Sequence, residues 1–174
     1  MRYVLAALGL LLVVACGPDE SGGAPVNAAD VTFVQMMVQH HRQGIQIAKV
    51  GADRATTPEL KTLTAAIVTT QQSEVEMMLR WLHAWGQPLN APDGAHDHHG
   101  GLPEIDQKRI AALKRSKELE PDLLTLMITH QEGAVQMAAA EVRDGVAPAA
   151  TQWAAQVQES RKAQIAQMRE LLSR

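Results

Sequence analysis

The sequence predicts an all-α fold, an antiparallel four-helix bundle built from two duplicated helical hairpins. Three observations carry this expectation. Ala, Leu, Gln and Met are plentiful while aromatic residues make up only 3% of the chain, a balance that favours helices over a β-sandwich or barrel. Sliding the chain on itself by 90 residues aligns Phe33–Leu82 with Leu123–Leu172 without a gap. Pro and Gly residues then punctuate the two copies at places where helices start and stop. Identities in this register fall at Met37/Met127, His40/His130, Gln46/Gln136, Ala48/Ala138, Pro58/Pro148, Ala65/Ala155, Met78/Met168 and Leu82/Leu172. Conservative pairs such as Val38/Ile128, Ile47/Met137 and Val75/Ile165 lie between them.

The N-terminus comes first in the chain and reads differently from the rest. Met1-Arg2-Tyr3 precedes an unbroken apolar run from Val4 to Val14, too short to anchor comfortably across a bilayer. The run ends in Leu12-Val13-Val14-Ala15-Cys16-Gly17, which resembles the lipobox of bacterial lipoproteins. That resemblance implies cleavage before Cys16 and acylation of it, with residues 1–15 a lipoprotein signal peptide. The bland alternative is an ordinary secretion signal with an incidental cysteine. Cys16 is the only cysteine, however, and a lone cysteine in an exported chain calls for a role that acylation supplies. Residues 16–29 are small, polar and Pro/Gly-containing, a flexible tether to the membrane.

The domain proper is expected over 30–174, as repeats 30–86 and 120–174 joined by a linker, 87–119. Hydrophobic residues are 46% of the chain, enough for one core. The first helix is predicted from about Asp30 to Asp53 and the second from about Pro58 to Trp85. Thr57 is the expected cap of the second helix, with Pro58 at its first position, where the missing N–H costs nothing. Gly86 and Pro88 stop it. Gln87 to Gly101 is a polar loop, followed by a short helical piece over Ile105 to Ser116. Pro121 opens the third long helix, Gly145 closes it, and Pro148 opens the last. Short loops within each hairpin predict antiparallel neighbours.

At 100° per residue, the first helix gathers Phe33, Val34, Met36, Met37, Val38, Gly44, Ile45, Ile47 and Ala48 into one apolar arc, opposite Gln35, Gln39, Arg42, Gln43 and Gln46. His40 and His41 fall inside that arc. In the second helix Gln71 and Glu74 interrupt an arc of Leu60, Ile67, Val75, Met78 and Leu82. Antiparallel pairing places His40 level with Gln71 and Met37 level with Glu74, and in the second copy His130 near Arg161 and Met127 near Gln164. The polar intrusions are thus expected to converge on one central layer.

Burying such side chains costs about 1–3 kcal/mol each unless they find partners. One solution is a hydrogen-bonded network with Arg161 paired to Glu74. The other is a metal site built from facing helices, with Met37, His40, His41, Glu74, Met78, Met127, His130 and Met168 as candidate ligands and Met36 and Met77 flanking them. Imidazole and thioether together suit copper, and thioethers favour Cu(I). Any single Met is equally good core filler. In the linker, His96, His98 and His99 form a His-rich tract that reads as an accessory, exchangeable metal-capture site or as a solvated connector.

The segment from Phe33 to Ala48, with His40-His41 at its centre, together with Gln71-Gln-Ser-Glu74 and Met78, resembles the family called domain of unknown function 305. Leu126-Met-Ile-Thr-His130 and its continuation to Ala138 do so as well. The resemblance covers about Asp30 to Leu172. It implies a ferritin-like four-helix bundle, exported, with a copper-binding role in some members, and it implicates Met37, His40, His41, Gln71, Glu74, Met78, Met127, His130 and Met168. The chain departs from the pattern at Gln131, where the family has a second His, and at Arg161 and Gln164, where it has Gln and Glu. These changes argue for one asymmetric site rather than two equal ones.

The expected function is therefore extracytoplasmic copper handling or resistance by a lipid-anchored protein of the cell envelope. The alternative is a structural or interaction lipoprotein whose polar layer serves packing alone. An enzyme is not expected: the chain has no Glu-x-x-His for a di-iron site and no Cys-based or Ser-His-Asp nucleophile. Covalent haem is excluded by the lack of Cys-x-x-Cys-His, while a Met/His-ligated haem stays open. The net charge of −3 and the absence of a basic block exclude a nucleic-acid partner, and a homo-oligomer stays open.

Overall fold

The computed structural model describes residues 24–90 and 107–174. Five helices follow in order: α1 Ala28–Arg54, α2 Pro58–Ala84, α3 Gln107–Leu113, α4 Leu119–Asp144 and α5 Pro148–Leu172. There is no strand among the described residues. α1 packs along α2, α4 along α5, and the two hairpins meet mainly through α1 and α4. The N-terminus of α1, the C-termini of α2 and α4 and the N-terminus of α5 share one end of the bundle. The chain from α2 to α4 therefore returns along the bundle's full length. One such long crossover is the connectivity of ferritin-like bundles.

The helix starts differ instructively from the sequence expectation. α1 begins two residues early because Asn27 caps it: its side chain accepts from the Asp30 N–H at 3.0 Å, and the Asn27 N–H donates to the Asp30 carboxylate at 2.7 Å. α4 starts at Leu119 rather than Pro121, with Pro held inside the first turn, where it disrupts nothing. Pro58 and Pro148 open α2 and α5 as expected. Thr57 is the N-cap residue of α2 as expected, but its side chain makes no capping hydrogen bond. Its hydroxyl donates at 2.5 Å to Glu120 on α4, and the same carboxylate accepts the backbone N–H groups of Thr56 at 2.6 Å and Thr57 at 2.8 Å.

Asp30 performs the same task at the other end. Its Oδ1 accepts the N–H groups of Val146 at 3.0 Å and Ala147 at 2.9 Å, in the loop between α4 and α5. Asp30 and Glu120 stand 90 residues apart, as do the loop residues they hold. Each hairpin thus lends a carboxylate from its first turn to the other hairpin's loop. The Thr57 hydroxyl and the N–H groups of Thr57 and Thr56 draw Glu120 down to about 2. At Asp30 burial is outweighed by hydrogen bonds from the Asn27, Ala147 and Val146 N–H groups and from Glu141.

The core consists of two apolar clusters. One contains Phe33, Val34, Met37, Met78, Leu82, Ala138, Trp153 and Val157 near the N-terminus of α1. The other contains Ile47, Leu60, Ile67, Leu123, Met127, Ile165 and Met168 near the opposite end. Every long helix contributes to both. Gln35, placed by helical periodicity on the outer face, is instead buried, and its amide donates to the Pro88 carbonyl at 2.7 Å, fastening the start of α1 to the chain leaving α2.

Candidate metal centre

Between the two clusters lies a polar layer, crossed once by each long helix: His40 and His41 on α1, Gln71 and Glu74 on α2, His130 and Gln131 on α4, Arg161 and Gln164 on α5. His41, Gln71, His130, Gln131 and Arg161 are buried, while Glu74 keeps 15% of its side chain exposed. His40 is partly exposed, though its Nδ1 is enclosed. The helices deliver these groups to one level because residues 40–41 of α1 and 71–74 of α2 sit at similar distances from the loop joining them. The same holds for α4 and α5.

Within this layer, residues 90 apart behave as pairs. The rings of His40 and His130 stack at a centroid separation of 3.7 Å, tilted by 12°. His41 Nε2 meets Glu74 Oε2 at 2.7 Å, and in the other hairpin the Gln131 amide donates to Gln164 Oε1. The in-hairpin partner of Glu74 is thus His41 rather than Met37, and the partner of Gln164 is Gln131 rather than Met127. Across the hairpins, Arg161 donates to the same Glu74 oxygen that meets His41. His41, Glu74 and Arg161 form one hydrogen-bonded chain around the Glu74–Arg161 ion pair, which has no counterpart at Gln131, Gln164 and Gln71.

Gly44 makes room for this layer. A Cβ there would lie 2.4 Å from Gln71 Oε1 and 2.5 Å from His130 Nε2, so α1 is bare where these groups approach it. Gly51 serves likewise in the apolar cluster beyond, where a Cβ would lie 2.5 Å from Leu123 Cδ2.

The electrostatics keep the imidazoles neutral. Burial lowers all three histidine pKa values, His130 to about 3. The neighbouring histidines and Arg161 lower His40 and His130 further, whereas Glu74 opposes burial at His41. Burial raises the pKa of Glu74, but His41 and Arg161 outweigh it and leave a carboxylate. Three ring nitrogens are buried without a hydrogen-bond partner: His40 Nδ1, His41 Nδ1 and His130 Nε2. Both polar atoms of the Gln71 amide are in the same condition.

The four candidate methionines are divided. Met37 and Met78 lie in the cluster on one side of the layer, Met127 and Met168 in the cluster on the other, all buried. Met36 belongs to the first cluster, with Met77 packed against it. Among the described residues, no three His, Cys, Asp or Glu side chains are gathered as a ready-made metal cage. Cys16 and the tract of His96, His98 and His99 lie outside the described residues.

What the sequence reading missed is aromatic. Trp153 lies 6.0 Å from the His41 ring, 5.8 Å from Phe33 and 5.7 Å from Trp81, closing the layer on its Met37 side. The signal available was the scarcity of such residues, with one Phe and three Trp in the whole chain.

Comparison with known proteins agrees with this architecture. The family model described as Domain of unknown function (DUF305) matches residues 30–172. A DUF305 protein of Streptomyces coelicolor, bearing the name of a secreted protein, superposes with a TM-score of 0.78 at 29% identity, covering 83% of this chain and 92% of its own. A DUF305 fragment from Deinococcus radiodurans gives 0.76 at 27% identity, covering 86% and 98%. CopM in its Cu(I)-bound form gives 0.71 at 26% identity, covering 83% and 95%. No curated protein matches the chain in sequence.

Proposed function

The chain belongs to the DUF305 family, and on that premise we propose that it is an exported, lipid-anchored protein that binds copper in its central layer, as a carrier or scavenger in the cell envelope and not as an enzyme. The observation that carries the reading is the trio of neutral imidazoles with buried nitrogens lacking partners. A buried lone pair left unpaired costs about 1–3 kcal/mol, and a bound metal ion would remove that cost.

The donor chemistry fits a copper ion. His41 Nε2 is held by Glu74, leaving Nδ1 free on the other side of the ring, the arrangement in which a carboxylate orients a ligating imidazole. His40 and His130 offer two more nitrogens. Met37 and Met78 on one side, and Met127 and Met168 on the other, supply thioethers, which favour Cu(I). His96, His98 and His99 remain an accessory capture tract in this proposal. Support from likeness comes from CopM, which has been solved with Cu(I) bound. Export is supported by the N-terminal pattern and by the secreted-protein name of the Streptomyces relative.

One observation favours a second reading. Arg161 already pairs its charge with Glu74, which also accepts a hydrogen bond from the neutral His41, as a metal-free interaction lipoprotein would require. The experiment that separates the two is an anaerobic titration of Cu(I) into the protein against a chromogenic chelator, repeated with Cu(II) and with His40→Ala and His130→Ala. Weakening of tenfold or more in the variants, about 1.4 kcal/mol, is the expected result. Unchanged binding moves the site to the His96–His99 tract, and no binding of either ion sinks the copper reading.

A further inference from the structure

The bundle's two ends differ in chemistry. At the end where α1 begins, Leu89, Val142 and Val146 are 48%, 45% and 45% exposed, and Trp81 and Trp85 are half-buried with their rings 6.2 Å apart. An open groove of about 960 Å³ runs beside them, lined by Val26, Val31, Ala84, Trp85 and Pro88. Among the described residues its exposed charges are few: Arg143 and Asp144 pair with each other at 2.6 Å, leaving Arg80 and His83 nearby. The opposite end is thick with charge, carrying Asp53, Arg54, Glu59, Lys61, Arg169 and Arg174.

The apolar parts of the first end are joined around the point where the N-terminal segment leaves the bundle. Asn27 donates to the Asp144 carbonyl at 2.9 Å, tying that segment to the turn bearing Val142 and Val146. Gln35 holds Pro88, next to Leu89. The first described residue, Ala24, lines the groove itself. Eight residue steps separate it from Cys16, a reach of at most about 28 Å. A lipid on Cys16 therefore confines this end, and not the charged one, to the neighbourhood of the bilayer.

We infer that the end of the bundle formed by Trp85, Leu89, Val142 and Val146 is a membrane-contacting surface that seats the domain on the lipid bilayer holding its own anchor. This inference rests on the lipid-anchor reading of Cys16. Trp at the boundary of an apolar patch is the side chain that settles at the headgroup level, and the surplus Arg80 suits an anionic surface. The acyl chains on Cys16 hold the chain to the bilayer but leave the domain free to turn on its tether, and an apolar contact fixes which end it presents to the lipid. Seated this way, the domain directs its charged end away from the bilayer.

The test uses the full mature chain, with the mass of the Cys16 adduct measured first, reconstituted into vesicles of phosphatidylethanolamine and phosphatidylglycerol. All three Trp lie towards the proposed contact end, so their fluorescence reports on it. Quenching by phospholipids brominated on their acyl chains is expected for the wild type. It should be lost in Leu89→Asp with Val146→Asp and kept in Leu172→Asp, an exposed position at the other end. An acylated chain with no quenching, or quenching indifferent to the double substitution, overturns the surface and leaves the anchor reading standing. An unacylated Cys16 overturns both. A dimer in light scattering that the double substitution dissociates assigns the patch to a second copy and also overturns the inference.

Discussion

His40 and His130 occupy equivalent positions of the two hairpins and lie face to face, 3.7 Å apart, at the level where the hairpins meet. Two imidazoles this close in a buried layer cannot both carry charge. Burial and the charges around them lower the pKa of both rings well below that of a free imidazole, so the stack is neutral at pH 7.

Replacing one ring by an apolar one separates packing from binding. His130→Phe keeps a stackable ring and deletes a buried nitrogen that has no partner. In the absence of metal its melting temperature should equal or exceed that of the wild type. The rise in melting temperature on adding copper should be lost. Thermal melts with and without Cu(I) under anaerobic conditions check both halves, and a full copper-dependent rise in the variant would place the metal elsewhere.

Glu74 joins His41 to Arg161, so its removal strands a buried guanidinium. Glu74→Gln should destabilise the fold by about 3 kcal/mol, the lower part of the range for breaking a buried pair, because Glu74 retains contact with water. Adding Arg161→Gln should recover most of that loss. Urea denaturation of the single and double variants measures this coupling, and a double variant no better than the single would mean that the pair is not coupled.

Gly44→Ala opposes two effects of known size. Ala gains about 1 kcal/mol of helix propensity over Gly. Its Cβ, however, would press on Gln71 and His130, and overpacking costs about 1–3 kcal/mol. The expected net result is a loss of up to about 2 kcal/mol, with weaker copper binding because His130 must move. Chemical denaturation and the chelator competition together read both.

The pH dependence has opposite signs at its two limits. The histidines, lowered in the folded state, bind fewer protons there than in the unfolded chain. Stability should fall as pH drops below 6.5, continuing towards about 3 as His130 resists protonation. Glu120, lowered from 4.5 to about 2, steepens the acid side. Glu141 acts in reverse: burial and the facing Asp30 raise it from 4.5 to about 8, so its contribution is present below pH 4.5 and is lost as pH rises through 8. Glu141→Gln should remove the fall in stability between pH 6.5 and 8 and steepen the rise from pH 5 to 6.5, where Glu141 opposes the histidines, and denaturation midpoints across pH 5–9 would show both.

Much of this was legible in the sequence for simple reasons. Helical period, the matched Pro58 and Pro148, and the 90-residue register determine which residues face inwards and which hairpins form. The polar layer followed from histidines and a carboxylate standing where apolar residues were due. Long-range partners were less accessible. A shift of one helical turn, four residues, along α1 separates Met37 from His41 as the partner of Glu74, and periodicity does not resolve that. Gln35 reads as an outer residue until Pro88 is known to lie against it. Asp30 and Glu120 looked like ordinary first-turn acids, because the loops they hold are more than 60 residues distant in one case and more than 110 in the other.

The polar layer also bears on how the molecule folds. Because it cuts the core across all four long helices, each hairpin owns half of each apolar cluster and the whole of neither. A hairpin alone has no interior to collapse on, and the reciprocal grip of Asp30 and Glu120 closes only after both hairpins have met. Partial unfolding of one half would expose both clusters at once. The slowest-exchanging amides of α1 and α4 should thus report a single opening free energy on either side of the histidines, as one cooperative unit.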